Sequence, residues 1–222
     1  MNVQIAGRQW AWAEVDSACQ RYLAEHWQDA LAPLAYVPIG RRKTCVQAGG
    51  NFGVWPWLLS PRFEQVITFE PDDECYDMLV VNVADRPNIT AHKLGLSDRD
   101  TMASIVPHGK NRGAQHLKFG DGPVACIALD SMRLKSLDLL MLDIEGAEHF
   151  ALEGARETIK EFNPVIVVED WRVQPKAYKR AGKPYPGHAK ENYGSDATAK
   201  EWLHLHGYSS VARIGQDEVY LR

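Results

Sequence analysis

Residues 44–53 read TCVQAGGNFG, and this stretch decides the fold. Thr44–Gln47 is a short apolar strand, Ala48–Gly53 a glycine-rich turn, and Val54–Leu59 opens a helix that tolerates Pro56 in its first turn. Glycine lets backbone take positive φ and approach a ligand closely. A strand that runs through such a turn into a helix, near the start of an α/β chain, predicts ligand binding at the carboxyl edge of an open sheet. Reading on, Gln65–Phe69 is a second strand that ends in Glu70-Pro71, with Glu70 twenty residues after Gly50. A carboxylate there accepts two hydrogen bonds from a ribose diol, so turn and acid together point to an adenosine-containing ligand. The turn is an imperfect G-x-G-x-x-G, since Ala48 takes the first place.

The rest of the chain extends the alternation. Asp72 begins a helix to about Val83, Ile89–Leu94 is a third strand, and Leu137–Ile144 and Pro164–Glu169 are strongly apolar strands on either side of a helix over Glu148–Glu161. Thr101–Val106 and Val124–Ala128 read as antiparallel additions. Short apolar runs separated by helix-length segments predict βαβ units and a mainly parallel sheet. The end differs: Ala197–His206 reads as a helix stopped by Gly207, followed by a hairpin turning at Gly215-Gln216-Asp217. The expectation is a Rossmann-like α/β fold, a seven-stranded mainly parallel sheet closed by a C-terminal antiparallel hairpin, over residues 44–222. Residues 1–43 read as a short N-terminal helical cap. In it Asp16 caps a helix over Ser17–Asp29, and Trp10, Trp12 and Trp27 pack.

Bulk properties narrow the class. At 222 residues, with net charge −4, the chain lacks the basic footprint of a dedicated duplex-DNA binder. Its four cysteines form no C-x-x-C pair and no zinc spacing, which fits a reducing compartment. No basic-then-apolar leader and no membrane-length apolar run is visible, so the expected location is cytoplasmic, with no membrane partner. The compositional anomaly is 171–190, which holds six basic residues and no acid. It falls in a stretch, 171–195, that reads as an acceptor-side insertion, and with Trp171, Tyr178 and Tyr185 it suits an anionic or glycosylated small-molecule acceptor. A solvated loop is the equal alternative, and the same cations and aromatics leave nucleic acid open as a partner.

VQAGGNFG, ITFEPDDECYDMLVVN, LGLSD, ALDSM, LDLLMLDIEGAEHFALEGA and NPVIVVED, in that order, resemble the FkbM family of class I methyltransferases over about Thr44–Asp170. The resemblance implies S-adenosylmethionine as methyl donor and, commonly, O-methylation of small molecules or sugars. It places Gly49, Gly50, Asn51 and Gly53 in the cofactor loop, Glu70 and the adjoining Pro71 at the ribose, and Leu96 and Ser97 beside adenine. Asp143 and Glu145 fall at the reaction centre, Asp143 also bordering the cofactor. The family usually has an acid where this chain has Gln47. Gln47 keeps a hydrogen-bonding carbonyl at the methionine end but no charge.

An alcohol acceptor needs a proton sink, supplied by a general base or a metal. Asp143 ends one strand, and Glu169 and Asp170 end the next, 26 and 27 residues later. Three converging carboxylates are an oxygen ligand set for Mg²⁺, and the spacing is similar to the metal-binding acids of some magnesium-dependent sugar O-methyltransferases. His188, in the basic segment, is a candidate base carried over the acceptor by a lid. Two other readings stand beside a small-molecule O-methyltransferase. A nucleic-acid methyltransferase is disfavoured because Asp143-Ile144-Glu145-Gly146 replaces an Asn/Asp-Pro-Pro-aromatic motif and no cysteine follows a proline. A non-catalytic nucleotide-binding protein is disfavoured by the retained acids.

Overall fold

The computed structural model describes residues 2–13, 16–109, 111–169 and 198–222. Its centre is a seven-stranded sheet in the order β12-β13-β11-β10-β3-β4-β5. The strands are β3 (Thr44–Ala48), β4 (Gln65–Phe69), β5 (Ile89–His92), β10 (Leu139–Leu142), β11 (Val165–Glu169), β12 (Ser209–Ile214) and β13 (Asp217–Leu221). All pairings from β5 to β11 are parallel, and β13 runs antiparallel to both β11 and β12. The chain leaves β3 outward through β4 and β5, then returns to add β10 and β11 on the other side. The β3/β10 boundary is therefore the topological switch point, where such sheets bind ligands.

Alternation along the strands explains why the sheet is covered on both faces. Cys45, Val66, Leu139, Met141, Val165, Val167 and Val219 point into one core with Trp12, Phe52 and Leu59. Val46, Ile67, Leu140, Leu142, Ile166 and Val168 point into the other. There they meet α4 (Glu148–Glu153), α5 (Arg156–Phe162) and α6 (Ala199–Leu205). The helices α2 (Val54–Leu59) and α3 (Asp73–Val83) lie on the first face. Asp72 caps α3 by accepting the Cys75 N–H, and Thr198 and Glu201 form a reciprocal capping box on α6.

Several boundaries differ from expectation. The N-terminal cap is not purely helical: it starts with a hairpin, β1 (Asn2–Ile5) and β2 (Arg8–Ala11), before α1 (Ser17–His26) and a 3₁₀ stretch over Trp27–Ala35. Positive φ at Ala6 and Gly7 makes the turn, a signal hidden among the tryptophans. Asn82 of α3 clamps this hairpin to the domain: its amide accepts from Ala11 N–H and donates to the carbonyls of Ala11 and Phe52. Trp12 packs on Phe52 with ring centroids 4.1 Å apart. The helix expected over Glu148–Glu161 breaks at Gly154-Ala155, where a Cβ at Gly154 would lie 1.9 Å from the Ser97 carbonyl oxygen, so the position requires glycine.

The expected third strand also stops early, at His92. Gly95–Leu96 (β6) instead joins β7 (Thr101–Val106), β8 (His116–Phe119) and β9 (Val124–Ile127) in a separate four-stranded sheet, order β6-β9-β7-β8. Thr101–Val106 and the strand at Val124 are antiparallel to each other, as read, but they belong to this second sheet. Its core is small, three buried residues: Ala103, Leu117 and Cys126. Among the described residues no helix is long and apolar enough to cross a membrane.

Candidate active site

A cavity of about 290 Å³ opens at the carboxyl ends of β3, β4 and β10. Its floor is the turn after β3. Gly49 and Gly50 both donate their N–H groups to the Phe69 carbonyl, at 3.1 and 2.8 Å, which draws the turn down onto the end of β4. At Gly49, φ is +86°, and a Cβ would sit 1.9 Å from the Asp143 carbonyl oxygen, so this crossing requires glycine. Asn51 follows with φ +46°, a conformation asparagine tolerates better than most residues.

Glu70 is the pivot of one end of the cavity. One carboxylate oxygen accepts the Asn51 N–H at 2.6 Å and the other accepts the Asp72 N–H at 2.8 Å. Burial pushes its carboxyl up to about 7, against the pull of those two backbone donors. Each oxygen retains a lone pair for a hydroxyl donor. Asn51 Oδ1 is buried on the same wall with no hydrogen-bond partner among the described residues. These unspent acceptors fit the diol of a ribose. Pro71, Leu96, Ile105 and Leu117 supply apolar wall around them.

The other end is acidic. Asp143, Glu145 and Glu169 each place a carboxylate oxygen within 4.8 Å of the others. Asp143 follows β10 directly. Glu145 is directed there by a left-handed backbone, φ +54°, followed by Gly146 at φ +96°. Glu148, buried at the start of α4, accepts the Ile144 N–H at 3.0 Å and so fastens this turn. Asp217 also faces the cavity, with Gln216 and Tyr22. Burial raises the Asp143 carboxyl to about 6, an effect partly offset by its hydrogen bond with Glu169. Glu145 and Glu169 are raised well above the usual carboxylate range, by burial first and then by the charge of Asp143. Glu169 Oε2 is buried and has no hydrogen-bond partner among the described residues. Such a group can take up protons from a reacting hydroxyl, or can accept oxygen-loving cations.

The structure brings together Gly49, Gly50, Asn51, Glu70, Pro71, Leu96, Asp143, Glu145 and Glu169 around one cavity. It does not bring Gln47, Gly53 or Ser97 there. Gln47 is buried beneath the turn, where its amide donates to the Ala48 and Gly49 carbonyls and accepts from the Thr68 hydroxyl at 2.7 Å. Its role is to hold the loop, and it offers nothing to a ligand. Gly53 begins α2 at φ +86° against Leu79 and Val83 of α3. Ser97 is fully buried behind Leu96 and bonds Asp98. Asp170 and His188 lie outside the described residues, as does the basic segment at 171–190.

Sequence reasoning missed three contributors. Cys19, Tyr22 and Leu23 of α1 wall the cavity from the cap. The turn at 111–115 of the second sheet covers it from another side. Asp217 enters from the hairpin, where it reads as an ordinary turn acid. For Asp217 a signal existed: a β13 paired antiparallel to β11 returns the turn to the end of β11, beside Glu169.

A seven-stranded sheet in this order, with a glycine turn after its central strand and an acidic mouth, is a Rossmann-like α/β architecture. The chain belongs to the FkbM methyltransferase domain family, whose model matches residues 47–209. It is 28% identical over 169 residues to methyltransferase sdnD of Sordaria araneosa, covering 57% of this chain and 65% of that protein. Among solved structures it is similar to the FkbM methyltransferase of Methylobacillus flagellatus KT, at 19% identity and TM-score 0.49, covering 82% of this chain and 44% of that one. It is also similar to a SAM-dependent methyltransferase of Aquifex aeolicus, at 14% identity and TM-score 0.42, covering 87% and 88%. The chain thus spans less than two thirds of the length of sdnD and of the Methylobacillus protein.

Proposed function

We propose that the protein uses S-adenosylmethionine to methylate a hydroxyl group of a small-molecule or sugar-containing acceptor. The observation that carries this reading is the continuity of one cavity, from the Glu70 wall at one end to the Asp143, Glu145 and Glu169 carboxylates at the other. Bound S-adenosylmethionine supplies an electrophilic methyl on a sulfonium. The chain's own part is to hold and align. Glu70 and Asn51 take the ribose hydroxyls, the glycine turn lets the backbone lie against the ligand, and Leu96 and Ile105 pack the adenine side. At the far end the carboxylates favour positive charge, and an ionised oxygen of the cluster accepts the proton that the acceptor hydroxyl loses. Alignment of two reactants alone is worth up to ~7–11 kcal/mol, so the site needs little further chemistry.

The same three carboxylates suit a hard divalent cation such as Mg²⁺, a reading supported by their spacing within 4.8 Å and by Glu169 Oε2, which has no partner among the described residues. The chemistry such an ion supplies is to make the acceptor hydroxyl more acidic.

The deciding experiment is calorimetric titration with S-adenosylhomocysteine, followed by transfer of labelled methyl from S-adenosylmethionine to a panel of hydroxylated small molecules and glycosides, with and without EDTA. Binding in the micromolar range and label in an alkali-stable ether are expected. No binding of donor or product overturns the cofactor reading. Label on nitrogen or on nucleic acid alone overturns the acceptor reading, and turnover indifferent to EDTA removes the cation.

A further inference from the structure

The adenosine end of the cavity is closed by elements outside the central sheet, and they meet on one side chain. The 3₁₀ turn at Arg112–Ala114 joins β7 to β8 of the second sheet. The Arg112 N–H donates to Asp16 Oδ2 at 2.9 Å, while Asp16 Oδ1 accepts the Cys19 N–H at 2.9 Å. One fully buried carboxylate therefore caps α1 and anchors the turn. The Arg112 guanidinium then reaches α3, donating to Asp72 Oδ2 at 3.2 Å and pairing with Glu74. Asp72 is the residue whose N–H is held by Glu70. Next to it, a Cβ at Gly113 would lie 3.2 Å from Asn51 Nδ2 and 3.4 Å from Cys19 Sγ, so the turn is pressed against the cofactor loop and the cap together.

We propose that Arg112 is a clasp, and that this turn must release from Asp16, Asp72 and Glu74 each time the cofactor enters or leaves. The inference rests on the adenosine reading of the cavity. Of the walls around that end, the second sheet has the smallest core, three buried residues, whereas the central sheet has large apolar clusters on both faces. Local opening follows the segment with the least apolar burial. The turn's grip is polar and partly open to water, the Arg112 side chain being 28% exposed. Breaking it costs a few charge-assisted hydrogen bonds and leaves the sheet that carries Glu70 and Asp143 intact. The cap helix is tied to the same event through Asp16.

The test is stopped-flow association and displacement of S-adenosylhomocysteine on the full chain, comparing wild type with Arg112→Gln and Asp16→Asn. Asn is as good a helix cap as Asp, so the second variant keeps α1 while weakening the anchor, and it decides the matter if the first does not fold. A clasp predicts that release and association both accelerate, release by about tenfold or more, the size expected from losing a hydrogen bond to a charged group. Unchanged rates overturn it. Faster release with unchanged association also overturns it, since that is the signature of a lost ligand contact. A wild-type protein that binds no S-adenosylhomocysteine overturns the adenosine reading and the clasp together, whereas normal wild-type binding with unaltered variant rates overturns the clasp alone.

Discussion

Glu169 and Asp217 stand directly opposite each other across the antiparallel pairing of β11 and β13, and both side chains face the cavity. Two carboxylates so placed cannot both ionise without cost. Asp217 is one of the charges that hold the Glu169 proton on, behind burial, Asp143, Glu145 and Glu148. Asp217→Asn removes that charge, so Glu169 ionises at lower pH. If an ionised carboxylate accepts the acceptor's proton, the acid limb of the kcat/KM profile moves to lower pH, and a pH-rate series on the variant checks it. A move to higher pH contradicts the arrangement.

Glu70→Ala removes the acceptor proposed for ribose hydroxyls together with the anchor for the Asn51 and Asp72 N–H groups. Losing charge-assisted hydrogen bonds of this kind costs about 1.5–3 kcal/mol each, so S-adenosylhomocysteine affinity should fall at least tenfold by calorimetry. An unchanged Kd refutes the ribose role.

Asp143→Asn keeps the size of the side chain and removes a charge at the acceptor end. Turnover should fall by about 10²–10⁴, the range of general-base contributions, with S-adenosylhomocysteine affinity nearly unchanged. Equal loss of both places Asp143 in the cofactor's grip alone.

Gln47→Glu restores the acid usual in the family, yet the structure predicts damage. Gln47 donates to two carbonyls, and a carboxylate there would face both oxygens. Each buried group left unsatisfied costs about 1–3 kcal/mol. Thermal denaturation should show a Tm lower by several degrees, and an equal or higher Tm would mean that the loop rearranges.

Stability without ligand should decline as pH rises from about 4.5 to about 7. Burial raises Glu70 and Glu148 to about 7 and Asp143 to about 6 in the folded protein. Unfolded, these groups release their protons near the ordinary carboxylate values. The folded state thus binds more protons across this window, and ΔG of unfolding falls with pH until both states are ionised. Denaturant melts at pH 5 and pH 7.5 check the sign, and Glu148→Gln should flatten the slope.

The sheet and the cofactor turn were legible because local chemistry specifies them. The turn at 48–53 needs its glycines where backbone crosses backbone, and the apolar runs at Leu139 and Val165 have no other stable use. Glu70, Asp143 and Glu169 were legible because strand ends place them. What was not legible depends on contacts distant in sequence. Gln47 reads as a ligand residue until Thr68 and the Gly49 carbonyl are seen to occupy it. Arg112 sits in a loop with no pattern of its own, and only folding brings Asp16 and Asp72, 96 and 40 residues away, to it. Gly154 reads as a helix interior until the Ser97 carbonyl is found against it.

The hairpin and helix at the amino end lie outside the stretch shared with the family, residues 47–209. They nonetheless bury Trp10 and Trp12 against the domain and lend Cys19, Tyr22 and Leu23 to the chamber. Catalytic inheritance and enclosure are thus separable in this molecule. A chimera that swaps the first forty-odd residues for those of another relative would keep the central sheet and its acids, but would change the ceiling of the cavity.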